Sequence, residues 1–279
     1  MLVMISPVVD ATFVAQHPAA VLVDVRWYLD GRDGYAAFQA GHIAGAVWAD
    51  LDHQLAAHGA PATEGRHPFP TPEAFAAAME ALGIGDNTVV VAYDDTGGLT
   101  AGRLVVMLRM LGHDAALLDG GLRTSTGPTA TGPNPPRPAV TFTPRPWPAH
   151  RFADADNTGS TAQNGGVVLD ARARERFTGE VAAVDPRPGH IPGARNAPWS
   201  AVLGPEGRLV DTATLRAHYG ALGVNERNAD DVVAYCGSGV SACMNVVALE
   251  HAGFAPPRLY VASWSGWSAD PERAAELGA

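Results

Sequence analysis

Cysteine is nearly absent from this chain, with two among 279 residues. Two thiols cannot staple a disulfide scaffold, so the fold must rest on its core, and a reducing, cytoplasmic setting is expected. Positive charge is also scarce: 19 basic against 29 acidic residues give a formal charge of −10 and a pI near 5.4. That balance speaks against a surface built for nucleic acid or an anionic membrane. No apolar run approaches the ~18–20 residues of a membrane span. The opening Met1-Leu2-Val3-Met4-Ile5 lacks the basic flank and cleavage site of a signal peptide, so none is expected. There is no Walker or Rossmann glycine fingerprint, and His42, His53, His58 and His67 do not fall at metal-ligand spacing. Neither a cofactor nor a metal is expected. What the chain does have is 47% hydrophobic residues, ample for real cores, and a length that suits two globular domains.

A repeat organises it. Val21-Leu22-Val23-Asp24-Val25-Arg26 recurs as Val167-Val168-Leu169-Asp170-Ala171-Arg172, and Gly41-His42-Ile43-Ala44-Gly45-Ala46 as Gly189-His190-Ile191-Pro192-Gly193-Ala194. A third block, Val89 to Asp94, matches Asp231 to Cys236. Asp24 and His42 are 18 residues apart, Asp170 and His190 20, and the later spacings agree comparably. Three ordered matches indicate a duplicated domain. Between the copies, residues 124–148 carry Pro128, Pro133, Pro135, Pro136, Pro138, Pro144, Pro146 and Pro148. Such a stretch cannot hold a helix and is expected to run extended as a surface linker. The expected division is therefore 1–123, linker 124–148, and 149–279.

Within each copy, strands alternate with helices. The Val/Leu runs 21–25, 89–93, 167–169 and 232–235 are apolar throughout, as strands of a parallel sheet covered on both faces should be. Helices are expected over 72–82, behind Thr71 with Pro72 at the first turn, and over 102–111, 212–222 and 242–251. Each copy is thus expected to be a small α/β domain, its parallel sheet flanked by helices on both faces.

In such sheets, ligands sit beyond the carboxyl ends of the strands. Cys236 ends an apolar run and opens Cys236-Gly237-Ser238-Gly239-Val240-Ser241-Ala242, after which a helix begins. The glycines let the loop curl so that backbone N–H groups face the thiol, and the positive end of the helix dipole lies behind it. Both favour a sulfur anion, which makes Cys236 the expected nucleophile. A phosphatase loop would place arginine after five intervening residues; the residue there is Ala242, so phosphoryl chemistry is disfavoured.

The duplication, the Gly-His-Ile-Pro-Gly-Ala block and the Cys-Gly-Ser-Gly-Val-Ser-Ala loop resemble the tandem rhodanese family, whose fold is two rhodanese-like α/β domains. The loop is closest to that of the 3-mercaptopyruvate sulfurtransferase branch. The thiosulfate branch typically has Arg and Lys after the cysteine, where Gly237 and Ser238 stand here. The resemblance implies a cysteine that takes a sulfane sulfur from a donor, holds it as a persulfide, and passes it to a thiol acceptor such as thioredoxin or a small thiol, or to cyanide. Gly237, Gly239, Val240 and Ser241 are then expected to line the donor site. Asp94, followed by Asp95, occupies the cysteine position in the first copy, and a carboxylate cannot carry sulfur, so that copy is expected to be catalytically silent.

Recognition of a 2-oxo-acid donor calls for arginine. Arg176-Phe177 matches a family substrate arginine, and Arg187 is the expected second; Arg172 and Arg174 are weaker candidates. The branch also implies a serine–histidine–aspartate relay, which points to Ser238, His67 and Asp52. Trp27 matches a family tryptophan near the site, with core packing as the alternative. His42 and His190, and likewise Asp24 and Asp170, occur in both copies and are expected to be structural. Cys243, seven residues past Cys236, reads as a small core residue. The rival functions are a thiosulfate:cyanide sulfurtransferase and a non-catalytic sulfur- or anion-binding module.

Overall fold

The structure is a computed structural model and describes residues 4–182 and 184–278. It divides into two compact units. The first takes the chain up to Ala57, Pro70–Pro148 and Gly204–Leu209; the second takes His58–Phe69, Ala149–Leu203 and the chain from Val210 onward. Each unit therefore draws one short segment from the other's stretch of sequence.

The first unit contains strands β1 (Val8–Val9), β2 (Val21–Asp24), β3 (His42–Ile43), β4 (Val47–Trp48), β5 (Val90–Tyr93), β6 (Ala115–Leu118) and β7 (Thr129–Ala130). Five of them form a parallel sheet in the order β1-β6-β5-β2-β4, with Val90 opposite both Val21 and Ala115. The central β5 is buried at every residue, which is why its sequence is apolar without alternation. Helix Pro72–Ala81 starts where expected: Thr71 Oγ1 accepts the Ala74 N–H at 3.2 Å, and Pro72 fills the first turn. Helix Ala101–Met110 is buried all round and packs beside β5 and β6. Its two arginines cap carbonyls, Arg103 that of Leu55 and Arg109 those of Ile5 and Ala115.

The proline-rich stretch is extended, as its prolines demand, yet it is part of this unit. β7 pairs antiparallel with β3, and Phe142 is buried between the edge of Phe75 and the face of His113. Trp147 donates its indole N–H to the Pro70 carbonyl at 2.8 Å.

The second unit repeats the plan with β8 (Val168–Asp170), β9 (Arg195–Asn196), β10 (Val233–Tyr235) and β11 (Arg258–Leu259) in a parallel sheet of order β11-β10-β8-β9. Its core gathers Val168, Phe177, Ile191, Tyr235, Trp264 and Trp267. Helices Thr212–Ala221 and Ala242–His251 lie where the sequence indicates, and Ser263–Ala269 is a third. The turn Ala62–Glu64 joins this unit because it lies backbone to backbone on the last of these. A Cβ on Gly266 would come within 2.5 Å of the Thr63 carbonyl oxygen, so only glycine permits the approach. Among the described residues no helix is long and apolar enough to cross a membrane.

The repeated residues do the same work in both units. Arg26 forks Asp24 and donates to the Gly41 carbonyl, and Arg172 forks Asp170 and donates to that of Gly189. His42 Nδ1 lies 2.8 Å from the Phe38 carbonyl and His190 Nδ1 the same distance from that of Phe177, each ring stacked on that phenylalanine. Tyr93 and Tyr235 accept the N–H groups of Ile43 and Ile191. These brackets fasten the turn after each unit's first long strand to its central strand.

Candidate active site

β10 ends at Tyr235, and the next residue is Cys236, buried at the carboxyl edge of the sheet. Its backbone is pinned on both sides. The Cys236 N–H donates to Ser263 Oγ at 3.1 Å, and the carbonyls of Cys236 and Gly237 accept the N–H groups of Trp264 and Ser265, each at 2.9 Å. Ser263 adopts φ 54°, a left-handed conformation that a residue with a side chain rarely takes. That strain turns the start of helix Ser263–Ala269 toward the cysteine.

The loop then curls back. Gly239, at φ 78°, donates its N–H to Cys236 Sγ at 3.1 Å, and helix Ala242–His251 begins three residues later. The first unit shows what this turn is suited to hold. There the residue after the central strand is Asp94, buried, and its carboxylate accepts the N–H groups of Thr96, Gly98, Thr100 and Ala101 at 2.8–3.0 Å and the Thr100 hydroxyl at 3.1 Å. The strand–loop–helix turn of this repeat is an anion cradle, filled in one unit by a carboxylate and headed in the other by a thiol.

Ser238 and His67 meet. Oγ and Nδ1 are 2.9 Å apart, both residues are buried, and the serine hydroxyl donates to the ring when Nδ1 carries no proton. The pair lies within the second unit because His67 rides on the borrowed segment 58–69. Asp52 belongs to the first unit, where it accepts the indole N–H of Trp27 at 2.9 Å. Cys243 is buried on its helix, with Sγ 3.4 Å from the Gly239 carbonyl it donates to.

The arginines separate clearly. Arg176 comes from the short helix Arg174–Phe177 and grips Asp185, with Nε 3.1 Å from Oδ2 and Nη2 2.7 Å from both oxygens. Its Nη2 also reaches the loop, since a Cβ on Gly237 would stand 2.8 Å from it. Arg187 faces elsewhere. Its Nε and Nη2 donate to the carbonyls of Ser268, Asp270 and Arg273, bracing the C-terminal end of helix Ser263–Ala269. Arg172 is the repeat's bracket, as Arg26 is, and its guanidinium lies 4.9 Å from the Trp264 ring. Arg174 is exposed.

One cation escaped the sequence reading. Arg66 precedes His67 on the borrowed segment, donates to the Val184 carbonyl at 2.7 Å, and lies 3.5 Å from Asp185 Oδ1. Its Nη2 would stand 3.2 Å from a Cβ on Gly237. The signal available in sequence was its adjacency to a candidate histidine.

Comparison with known proteins agrees with this architecture. The rhodanese-like domain family matches residues 13–124 and 152–270. A probable 3-mercaptopyruvate sulfurtransferase of Pseudomonas aeruginosa is 40% identical over 268 residues, covering 94% of each chain. A putative thiosulfate sulfurtransferase, SseB, of Mycobacterium tuberculosis is 38% identical, covering 93% of this chain and 91% of its own. Among solved structures, the 3-mercaptopyruvate sulfurtransferase from Leishmania major superposes with a TM-score of 0.84 at 31% identity, over 95% of this chain and 74% of that one.

Proposed function

Because this chain belongs to the rhodanese family, with a rhodanese-like domain matched in each half, we propose that it is a sulfurtransferase carrying sulfane sulfur on Cys236, with 3-mercaptopyruvate as donor. The observation that carries this reading is the pair of equivalent loops. Four N–H groups cradle the Asp94 carboxylate, and the loop headed by Cys236 already aims the Gly239 N–H at Sγ. A turn that holds a carboxylate in one unit supplies, in the other, the dipoles that a thiolate and then a persulfide anion require. They do so without a fixed full charge, so the outer sulfur stays transferable.

In the first half-reaction the Cys236 thiolate attacks the thiol sulfur of the donor. The new S–S bond forms as the donor C–S bond breaks; its electron pair passes to carbon as pyruvate enolate, and the donor's thiol proton goes to that carbon. The Ser238–His67 hydrogen bond supports a path for this proton. In the second half-reaction an acceptor thiolate or cyanide attacks the outer sulfur and releases Cys236 as thiolate. The first unit, with Asp94 in place of cysteine, takes no sulfur and serves as scaffold.

Thiosulfate as donor is the second reading, favoured by the relative that carries that name. Against it, Gly237 and Ser238 stand where that branch typically has basic residues. Kinetics with each donor, cyanide as acceptor and Cys236→Ser as blank separate the two. The expected outcome is no turnover by the variant and a preference of at least tenfold in kcat/KM for 3-mercaptopyruvate, about 1.4 kcal/mol of transition-state discrimination. A tenfold preference for thiosulfate reverses the donor assignment, and full activity of Cys236→Ser removes the nucleophile.

A further inference from the structure

Tyr260 follows β11 and is only 3% exposed, yet its hydroxyl has no hydrogen-bond partner among the described residues. A phenol desolvated in this way costs free energy until something meets it. The residue lines a cavity of about 370 Å³ within the second unit, beside the first turn of helix Ala155–Gln163. The charges that act on the hydroxyl are those of the cavity wall, namely Glu64, Asp154, Asp156 and the Arg273 guanidinium, so the hydroxyl points into it. Burial holds the phenol's proton affinity well above the ordinary value, which keeps the group a neutral hydroxyl.

Charge decides what such a cavity takes. Three carboxylates against one guanidinium leave two negative charges on the wall. Arg273 is already engaged, 2.8 Å from Asp156 and 3.4 Å from Asp270, its guanidinium 5.0 Å from the centre of the Trp267 ring. An anion at the head of the helix is excluded because Asp154 caps it, Oδ1 accepting the Asn157 N–H at 2.7 Å. Among the described residues no group of three or more His, Cys, Asp or Glu is placed to hold a metal ion. An organic cation fits, with Phe152, Val261 and Ala262 available to its alkyl part.

The first unit shows a cation at the corresponding place. Asp119 follows β6, which pairs with the central β5, as Tyr260 follows β11, which pairs with β10. The segment 204–209 that the first unit borrows brings Arg208 there, with Nη1 3.5 Å from Asp119 Oδ2, while the Leu209 N–H donates to Oδ1 at 2.8 Å. The segment 58–69 that the second unit borrows brings an acid instead, Glu64. One unit supplies its own guanidinium, and the other presents a carboxylate and an unpaired hydroxyl.

We propose that this cavity is a binding site for a short aliphatic diamine, one ammonium donating to the Tyr260 hydroxyl and the two charges balanced by the Glu64 and Asp154 carboxylates. An ammonium has donors and no acceptor, which suits a wall of carboxylates and a hydroxyl oxygen. The site includes neither Cys236 nor any residue of its loop, so it stands independently of the sulfur chemistry.

Titration calorimetry of the full chain at low salt tests this, with 1,4-diaminobutane as probe and n-butylamine and butyrate as comparisons. The diamine is expected to bind at least threefold more tightly than n-butylamine, as one further exposed charge pair gives, and butyrate not at all. Tyr260→Phe is expected to weaken the diamine at least tenfold, the scale of a hydrogen bond to a charged group. Glu64→Gln, an exposed change that leaves the fold intact, is expected to weaken it about threefold. Tyr260→Phe also reads the premise without ligand. Its midpoint in urea should hold or rise, since the hydroxyl it removes is buried and unpaired. A lowered midpoint would mean that the hydroxyl is bonded within the protein, and would overturn the proposal. So would no binding of the diamine at millimolar concentration, or equal affinity in wild type, Tyr260→Phe and Glu64→Gln. Equal affinity for n-butylamine and the diamine would overturn the two-charge assignment.

Discussion

Ser238 and His67 illustrate how much chemistry one contact can assign. A hydroxyl 2.9 Å from an imidazole, both buried, is a proton path only if the reaction moves a proton, and the two donors differ in that respect. 3-Mercaptopyruvate leaves an enolate that must be protonated; thiosulfate leaves sulfite, which need not be. Ser238→Ala or His67→Asn is therefore expected to lower kcat with 3-mercaptopyruvate by roughly 10²–10⁴, the usual scale of general acid–base catalysis, and to spare thiosulfate turnover comparatively. Equal losses with both donors would indicate a structural role. The arginines show the limit of residue-by-residue reading. Spacing offers Arg187 as a clamp, but it cannot reveal that the guanidinium turns toward the carbonyls of Ser268, Asp270 and Arg273. Arg66 lies more than a hundred residues from Asp185 in sequence, so nothing local announces their pairing.

The recurring element is a strand, a tight loop and a helix that together make an anion cradle. Asp94 occupies it in the first unit, and its value there is structural. Asp94→Ala would leave several buried N–H donors and the Thr100 hydroxyl without their acceptor, at a cost on the order of 3–5 kcal/mol of stability. Urea unfolding should show this as a lowered midpoint; an unchanged midpoint would mean the cradle needs no anion. At this scale the sequence was most legible. The central strands and the helices Pro72–Ala81, Ala101–Met110, Thr212–Ala221 and Ala242–His251 fall within about one residue of where apolar runs, caps and glycines put them. The edge strands were not legible: β1, β4, β9 and β11 have two residues each, too few for any periodicity. Segment 58–69 was equally hidden, because its membership in the second unit is decided by the close approach of Thr63 to Gly266 and not by its composition.

At the scale of the whole molecule, the proposed function divides one repeated cradle between two uses, stability where Asp94 fills it and chemistry where Cys236 heads it. Stability should also carry a pH signature. Burial lowers the proton affinity of His113, His190 and His218 below the usual imidazole value, and His218 Nε2 is buried without a hydrogen-bond partner. The unfolded chain then binds protons more readily than the folded one. Stability is full above about pH 6.5 and falls as pH drops through the window between that value and the lower folded pKa. His218→Gln should flatten the decline in melting temperature between pH 7.5 and pH 5.5; an identical decline in variant and wild type would remove His218 from this account.

The central claim is that sulfur resides covalently on Cys236, and intact-protein mass measurement tests it most directly. Protein treated with 3-mercaptopyruvate, freed of donor and kept without acceptor, is predicted to gain the mass of one sulfur atom, located by peptide mapping to Cys236 and lost on adding cyanide. Cys236→Ser should gain nothing. A wild-type protein that stays at its original mass, or one whose added sulfur maps to Cys243, would contradict the account.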